Sequence, residues 1–317
     1  MQDAQGRPWR PDRDIELVAG TPPGGGQDRP ARALIEVLEK QKLLDRPVKL
    51  TNIPGRGGAN AWDYLRQHTG DPHVLAINSP TIISNKLLGV STADYADLTP
   101  LANLYTEYPI FIVRADSAIT DVDALVRRLK DPASLPISLA TAIGNPNHIA
   151  LARLTRHVGG DVKALKIEVF DSARYAIAHV LEGKAVLGVI TAVSAVPELT
   201  AGSLRTVTLS APQRLGGLFA DVPTLVEGGV NCTVGMWRGI IAPGGIPAAA
   251  TAFWTETLGQ ATATAEWQAE LTKKYWANTF VSGAQEIAFL DAEKSVMTGA
   301  LGDLGLLPDT TKDKAST

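Results

Sequence analysis

The strongest constraint on this chain is a repeating order: a short apolar run, a loop rich in glycine, proline or asparagine, then an amphipathic helix. Ile15–Ala19 is followed by TPPGGGQD at 21–28 and by a helix whose Ala31, Leu34, Ile35 and Leu38 fall at i, i+3, i+4 and i+7. VKLTNI (48–53) leads through PGRGGAN to a helix with Trp62, Leu65 and Arg66, and HVLAIN (73–78) leads into SPTIISN. TEYPIFIVRA (106–115) reads as one long extended segment, and Thr120 to Asp123 as a capping box opening a helix. PISLAT (136–141) is followed by AIGNPNH and a helix with Leu151, Leu154 and Val158, stopped by Gly159-Gly160. LKIEVF (165–170) precedes DSAR and a helix carrying Ile177, Val180 and Leu181. AVLGVIT (185–191), LRTVTLS (204–210) and MWRGIIAP (236–243) are further strands. Residues 247–304 read as mostly helical, with a strand near 278–281, and 309–317 as a tail. Such alternation predicts an α/β architecture with mainly parallel sheets, and 317 residues fit roughly two domains.

In such sheets ligands sit outside the carboxyl ends of the strands. The loops at that address are TPPGGGQD, PGRGGAN, SPTIISN, AIGNPNH and FDSAR. Asp28, Asn145 and Ser172 read as N-caps of the helices that three of them open. Helix N-termini and close-approaching glycine amides favour an anion. TPPGGGQD is neither a P-loop, because Gln27-Asp28 stand where Lys-Ser/Thr is needed, nor a dinucleotide fingerprint, because Arg29 replaces its third glycine. A tight turn without a ligand is the alternative.

Composition narrows the function. A formal charge of −3 gives no nucleic-acid footprint. No apolar run approaches the ~18 residues of a membrane span, and MQDAQGRPWRPDRD at the start is polar rather than a signal peptide. The single cysteine, Cys232, excludes an internal disulfide. The five histidines show no i, i+4 pair, no G-x-S-x-G elbow occurs, and Glu168 and Asp171 are poorly spaced as a carboxylate pair. No catalytic residue, metal site or cofactor is expected.

GTPPGGGQD, NIPGRGG, DVPTLVEGGV and WRGIIAP, in that order, resemble the solute receptors of tripartite tricarboxylate transporters, the TctC/Bug family, over about Ile15 to Leu307. The resemblance implies a type II periplasmic-binding-protein fold: two α/β domains around a central cleft that closes on a small organic carboxylate. It implies domain 1 at 1–108 plus 227–317 and domain 2 at 109–226, with TEYPIFIVRA as the first crossing. Its binding loops map onto Pro23, Gly24, Gly25, Gly26 and Asp28, onto Ser79, Pro80 and Thr81, and onto Thr141, Asn145, Asn147 and His148; Ser172 and the nearby Arg174 complete the set. A periplasmic location after removal of a leader, membrane permease subunits as partners and a monomeric state are further implications. The chain departs from the family pattern in ATAIGNPNH, where a Gly/Ser-rich stretch is usual, and at His179 and Val186, where Asp is frequent.

Several roles stay open from sequence. His148 either donates to a carboxylate or fixes its own loop, Asn147 either contacts ligand or stabilises a turn, and Asp28 serves mainly as a cap because it would repel an anion. Arg174 and Arg56 are the only nearby cations that the sequence places. The amides of Gly24–Gly26, in an exposed loop, are expected to hold the carboxylates. The cleft lined by 22–28, 79–81, 141–148 and 171–174 is expected to be the only sizeable polar-lined pocket. The alternatives to a transport receptor are a two-domain enzyme acting on an anion and a ligand-sensing partner of a membrane sensor kinase.

Overall fold

The computed structural model describes residues 9–308; the tail at 309–317 lies outside them. Two sheets are built on one plan. The first contains β1 (Ile15–Ala19), β2 (Val48–Asn52), β3 (Val74–Asn78), β4 (Thr99–Glu107), β10 (Met236–Ala242) and β11 (Val281–Ser282), ordered β11-β4-β10-β3-β1-β2. The second contains β5 (Pro109–Arg114), β6 (Pro136–Ala140), β7 (Lys166–Phe170), β8 (Leu187–Thr191) and β9 (Leu204–Leu209), ordered β7-β6-β8-β5-β9. In each, three parallel strands lie beside one antiparallel strand: β10 against β3 and β4, β5 against β8 and β9. The sheets are therefore mixed. Each antiparallel strand is the first after a crossing from the other sheet.

TEYPIFIVRA is accordingly not one strand. It divides at Tyr108, with Thr106 and Glu107 ending β4 and Pro109 opening β5. Pro109 has no N–H to continue a ladder; its carbonyl accepts from Ser210 N–H at 3.0 Å, and the Tyr108 carbonyl from Ala192 N–H at 3.1 Å. The return connection first runs along the second sheet, where Leu225, Val230 and Cys232 join its apolar core.

Helices cover both faces of both sheets, which is why β3 and β8 are buried along their whole length. On one face of the first sheet, α1 (Asp28–Lys40), α8 (Ala248–Ala263) and α9 (Ala265–Lys273) enclose Leu34, Leu38, Trp254 and Trp267. On the other, α2 (Ala59–Arg66), α3 (Thr81–Leu87) and α10 (Ala284–Asp303) enclose Trp62, Ile82, Leu290 and Leu301. The second sheet is flanked by α4 (Val122–Leu129) and α5 (Pro146–His157) on one side and α6 (Ala173–Leu181) and α7 (Val196–Thr200) on the other. The capping box expected from Thr120 to Asp123 does not form; Asp121 is a simple N-cap instead, accepting from Ala124 N–H at 2.8 Å, because Ala124 at N3 has no polar side chain to return the bond. No helix among the described residues is long and apolar enough to cross a membrane.

Candidate functional site

The loop from β1 to α1 is held by side chains from four directions. Thr21 Oγ1 accepts from the N–H groups of Gln27 (3.1 Å) and Asp28 (3.2 Å), so a threonine six and seven residues back satisfies the opening amides of α1. Asp28 is not the cap that its sequence position suggested. It is the first helical residue, fully buried, and its carboxylate accepts from Gly24 N–H (2.8 Å), the Asn52 amide (2.9 Å) and Arg32 (2.8 and 3.0 Å). Burial alone would raise its pKa; the Arg32, Gly24 and Asn52 bonds outweigh that and hold it below the usual carboxylate value.

These bonds leave little of the glycine run free for a ligand. Gly24 N–H is taken by Asp28 and Gly25 N–H by the Pro22 carbonyl at 2.9 Å. Gly26 N–H alone of the three has no partner among the described residues. Gly25 is also buried rather than exposed, and a Cβ there would lie 2.6 Å from Thr21 Oγ1 and 2.8 Å from the Pro22 carbonyl oxygen. Its missing side chain serves the loop's own packing. Pro23 and Gly24 form the exposed tip.

The loops after β2 and β3 join this one. Gln27 accepts from Gly20 N–H at 2.8 Å and donates to Ser79 Oγ at 3.3 Å; Ser79 Oγ lies 2.8 Å from Thr81 Oγ1, which donates to the Gly57 carbonyl at 2.7 Å. Pro80 directly precedes α3 and is buried.

The loop from β6 to α5 is neutral throughout. Asn145 caps α5, accepting from His148 N–H at 3.0 Å, and its amide donates to the Ala140 carbonyl at 2.7 Å. Asn147 donates to the same carbonyl at 3.3 Å, leaving its Oδ1 buried without a partner. His148 fixes the loop: its Nδ1 accepts from Gly144 N–H at 3.0 Å. Burial lowers its pKa to about 4, so near neutral pH the imidazole is uncharged. Thr141 has φ +84°, a strained conformation for a β-branched residue, while its N–H donates to the Phe170 carbonyl at 2.7 Å.

The two loop sets close on each other. A Cβ on Gly57 would meet Ala142 Cβ at 3.0 Å, and one on Gly144 would meet Leu88 at 2.4 Å and Ser84 at 3.5 Å. Arg29 spans the seam, donating to the Gly24 carbonyl and to Ser194 Oγ, each at 2.8 Å. On the loops and helices that meet here, Asn78 Nδ2, Ser84 Oγ, Asn147 Oδ1 and Arg29 Nε are buried with no hydrogen-bond partner among the described residues; other such atoms lie within the cores.

Ser172 is buried at the start of α6, but Arg174 is not drawn in: it is exposed, its guanidinium 5.8 Å from the Tyr175 ring centroid. Arg56 is tied to Asn60 and Asp63 on the outer surface. The cations at the glycine loop are instead Arg29 and Arg238. Arg238 donates to the Gly26 carbonyl (2.9 Å) and pairs with buried Glu107 (2.9 Å), joining the strands on either side of the two crossings. In the sequence Arg29 stands out only as the residue in place of a third fingerprint glycine, and nothing marks AVSA, with Ser194, as a loop. Sizeable open depressions lie elsewhere too, correcting the single-pocket expectation: one of 750 Å³ includes Lys130, His157, Arg214 and Glu227, and one of 520 Å³ includes Arg153, Arg156 and Asp303. Among the described residues no three His, Cys, Asp or Glu side chains are grouped to hold a metal.

Two lobes of equivalent topology, joined by two crossings and meeting through the loops at their strand ends, define a solute-binding receptor architecture. A model of the tripartite tricarboxylate transporter family receptor, TctC, matches residues 31–303, and the chain belongs to that family. It is 24% identical over 241 residues to Protein BugT of Bordetella pertussis, covering 74% of this chain and 72% of that protein. Among solved structures it is similar to periplasmic binding protein BugD (20% identity, TM-score 0.83, 94% of this chain and 100% of that one). It is likewise similar to MatC from Rhodopseudomonas palustris with bound malate (21%, TM-score 0.81, 92% and 99%) and to an R. palustris protein with adipate (20%, TM-score 0.86, 94% and 99%). These likenesses establish the type II periplasmic-binding-protein fold, two α/β domains around a central cleft.

Proposed function

We propose that the chain is an extracytoplasmic receptor that binds a small organic carboxylate between its two domains and delivers it to the membrane permease of a tripartite tricarboxylate transporter. The observation that carries this reading is the seam itself, where loops from both sheets meet and Arg29 after the first strand reaches Ser194 after the eighth. The malate and adipate held by two structural relatives support a carboxylate as the ligand. In this reading the domains are 1–108 with 227–317 and 109–226, the returning chain still packing on the second domain as far as Cys232, and hinge closure about the crossings captures the ligand.

The binding residues then divide by role. Asp28, Asn145 and His148 shape the walls through the bonds described, while Gly26 N–H, Ser84, Asn78 and Asn147 offer free hydrogen-bonding capacity. Ser79 and Thr81 tie the walls of the first domain together. Binding requires no metal and no cofactor, and the location is the periplasm. A thermal-shift screen of mono-, di- and tricarboxylates tests the reading, because a ligand that binds only the folded state raises its stability by mass action. At a hundred times Kd the gain is about 2.7 kcal/mol. A screen in which no carboxylate raises Tm, but another solute class does, contradicts it.

A further inference from the structure

We propose that Arg29 is the anion-reading residue of the cleft and that, with Ser194 and Thr191 from the second sheet, it forms the subsite for one ligand carboxylate. The inference rests on the receptor reading above and adds a residue to it.

Charge is balanced around the glycine loop except at this side chain. Arg32 pairs with Asp28 at 2.8 Å and Arg238 with Glu107 at 2.9 Å, one carboxylate for each guanidinium. Arg29 has no carboxylate within 4.0 Å among the described residues; its partners are the neutral Gly24 carbonyl and Ser194 hydroxyl. It is half-buried, and its Nε is wholly buried and unpartnered. A guanidinium drawn out of water toward neutral acceptors keeps part of its desolvation cost uncompensated. An ionised carboxylate removes that cost, since its two oxygens match two parallel N–H groups of the fork.

The opposite wall suits the same anion. Ser194 Oγ lies 3.1 Å from Thr191 Oγ1, so these hydroxyls share a hydrogen bond that can be exchanged for donation to an oxyanion. Thr191 ends β8 and Ser194 follows it, whereas Arg29 follows β1, so a carboxylate held here touches both domains. Arg238 is already occupied by Glu107 and the Gly26 carbonyl, and Arg174 faces solvent, which leaves Arg29 to read charge.

Calorimetry on the wild type, R29Q and S194A tests this, using the tightest-binding unbranched dicarboxylate of four to six carbons and its monomethyl ester. The wild type is expected to prefer the diacid by about thirtyfold. R29Q is expected to bind both ligands within about threefold of each other, while S194A keeps most of the preference and both variants keep the wild-type Tm. Retention of the full preference by R29Q overturns the inference and leaves the receptor reading intact. So does an equal loss of diacid and ester binding in R29Q and S194A, which makes Arg29 a strut between domains. Failure of the wild type to bind any carboxylate overturns both.

Discussion

The loops that follow β1 and β6 stand at equivalent places in the two sheets, and opposite chemistry holds them. The first is braced by charge: Asp28 is surrounded by Arg32, Asn52 and Gly24, and Arg29 and Arg238 hold the carbonyls of Gly24 and Gly26. The second uses neutral groups, with Asn145, Asn147 and an uncharged His148 arranged about the Ala140 carbonyl and Gly144 N–H. The same topology thus yields a charged wall and a neutral one. A cleft so built can place an anion's charge at one domain while hydrogen-bonding its remainder from the other.

The contrast can be broken first at Gly25. A valine there overlaps Thr21 and the Pro22 carbonyl, so Gly25→Val is expected to cost about 3 kcal/mol by urea unfolding and to abolish carboxylate binding. An unchanged urea midpoint would show that the loop adjusts freely and is not braced.

The neutral wall is tested by pH. The folded-state pKa of His148, about 4, lies below its ordinary value of 6.5. Its contribution is therefore complete above pH 6.5 and is lost as pH falls toward 4, amounting to roughly 3 kcal/mol. In His148→Ala this part of the acid sensitivity should disappear, with about 1–3 kcal/mol lost at neutral pH because Gly144 N–H is left unpaired. Parallel stability–pH curves for variant and wild type between 4 and 6.5 would contradict a buried neutral imidazole.

Much of this architecture was legible in the sequence because apolar runs and glycine stops are local signals. β1, β2, β3, β6, β7 and β8 fall within a residue or two of their expected positions. The break at Tyr108 has a local signal in Pro109, which cannot donate to a ladder, but which sheet each half joins is set only by the tertiary crossing. In the site, Asn145 followed from its spacing before an apolar helix. Asp28 had the right residue type for a cap, but Thr21, distant in sequence and folded back by the prolines and glycines, took that place. Arg29 and Ser194 become partners only when two domains meet, so no local pattern could join them.

Smaller effects sharpen the same contrast. Asn145→Ala removes the α5 cap and should cost about 1 kcal/mol, measured by thermal or urea unfolding. Thr141→Gly relieves the φ of +84° and should stabilise by a few tenths to about 1 kcal/mol, the strain relief exceeding glycine's added chain entropy. A destabilised Thr141→Gly would mean that the threonine side chain contributes more than its backbone strain removes.

The central claim is that ligand binds where the charged and neutral walls meet. It is tested most directly by following backbone amide resonances of the labelled protein during titration with the carboxylate that most raises its Tm. The amides of Gly26, Gly144 and Ser194 are expected to shift together and saturate with one Kd, because one ligand touches both domains. Shifts confined to the outer depression around Lys130, His157 and Arg214, with Gly26 and Ser194 unmoved, would contradict the account.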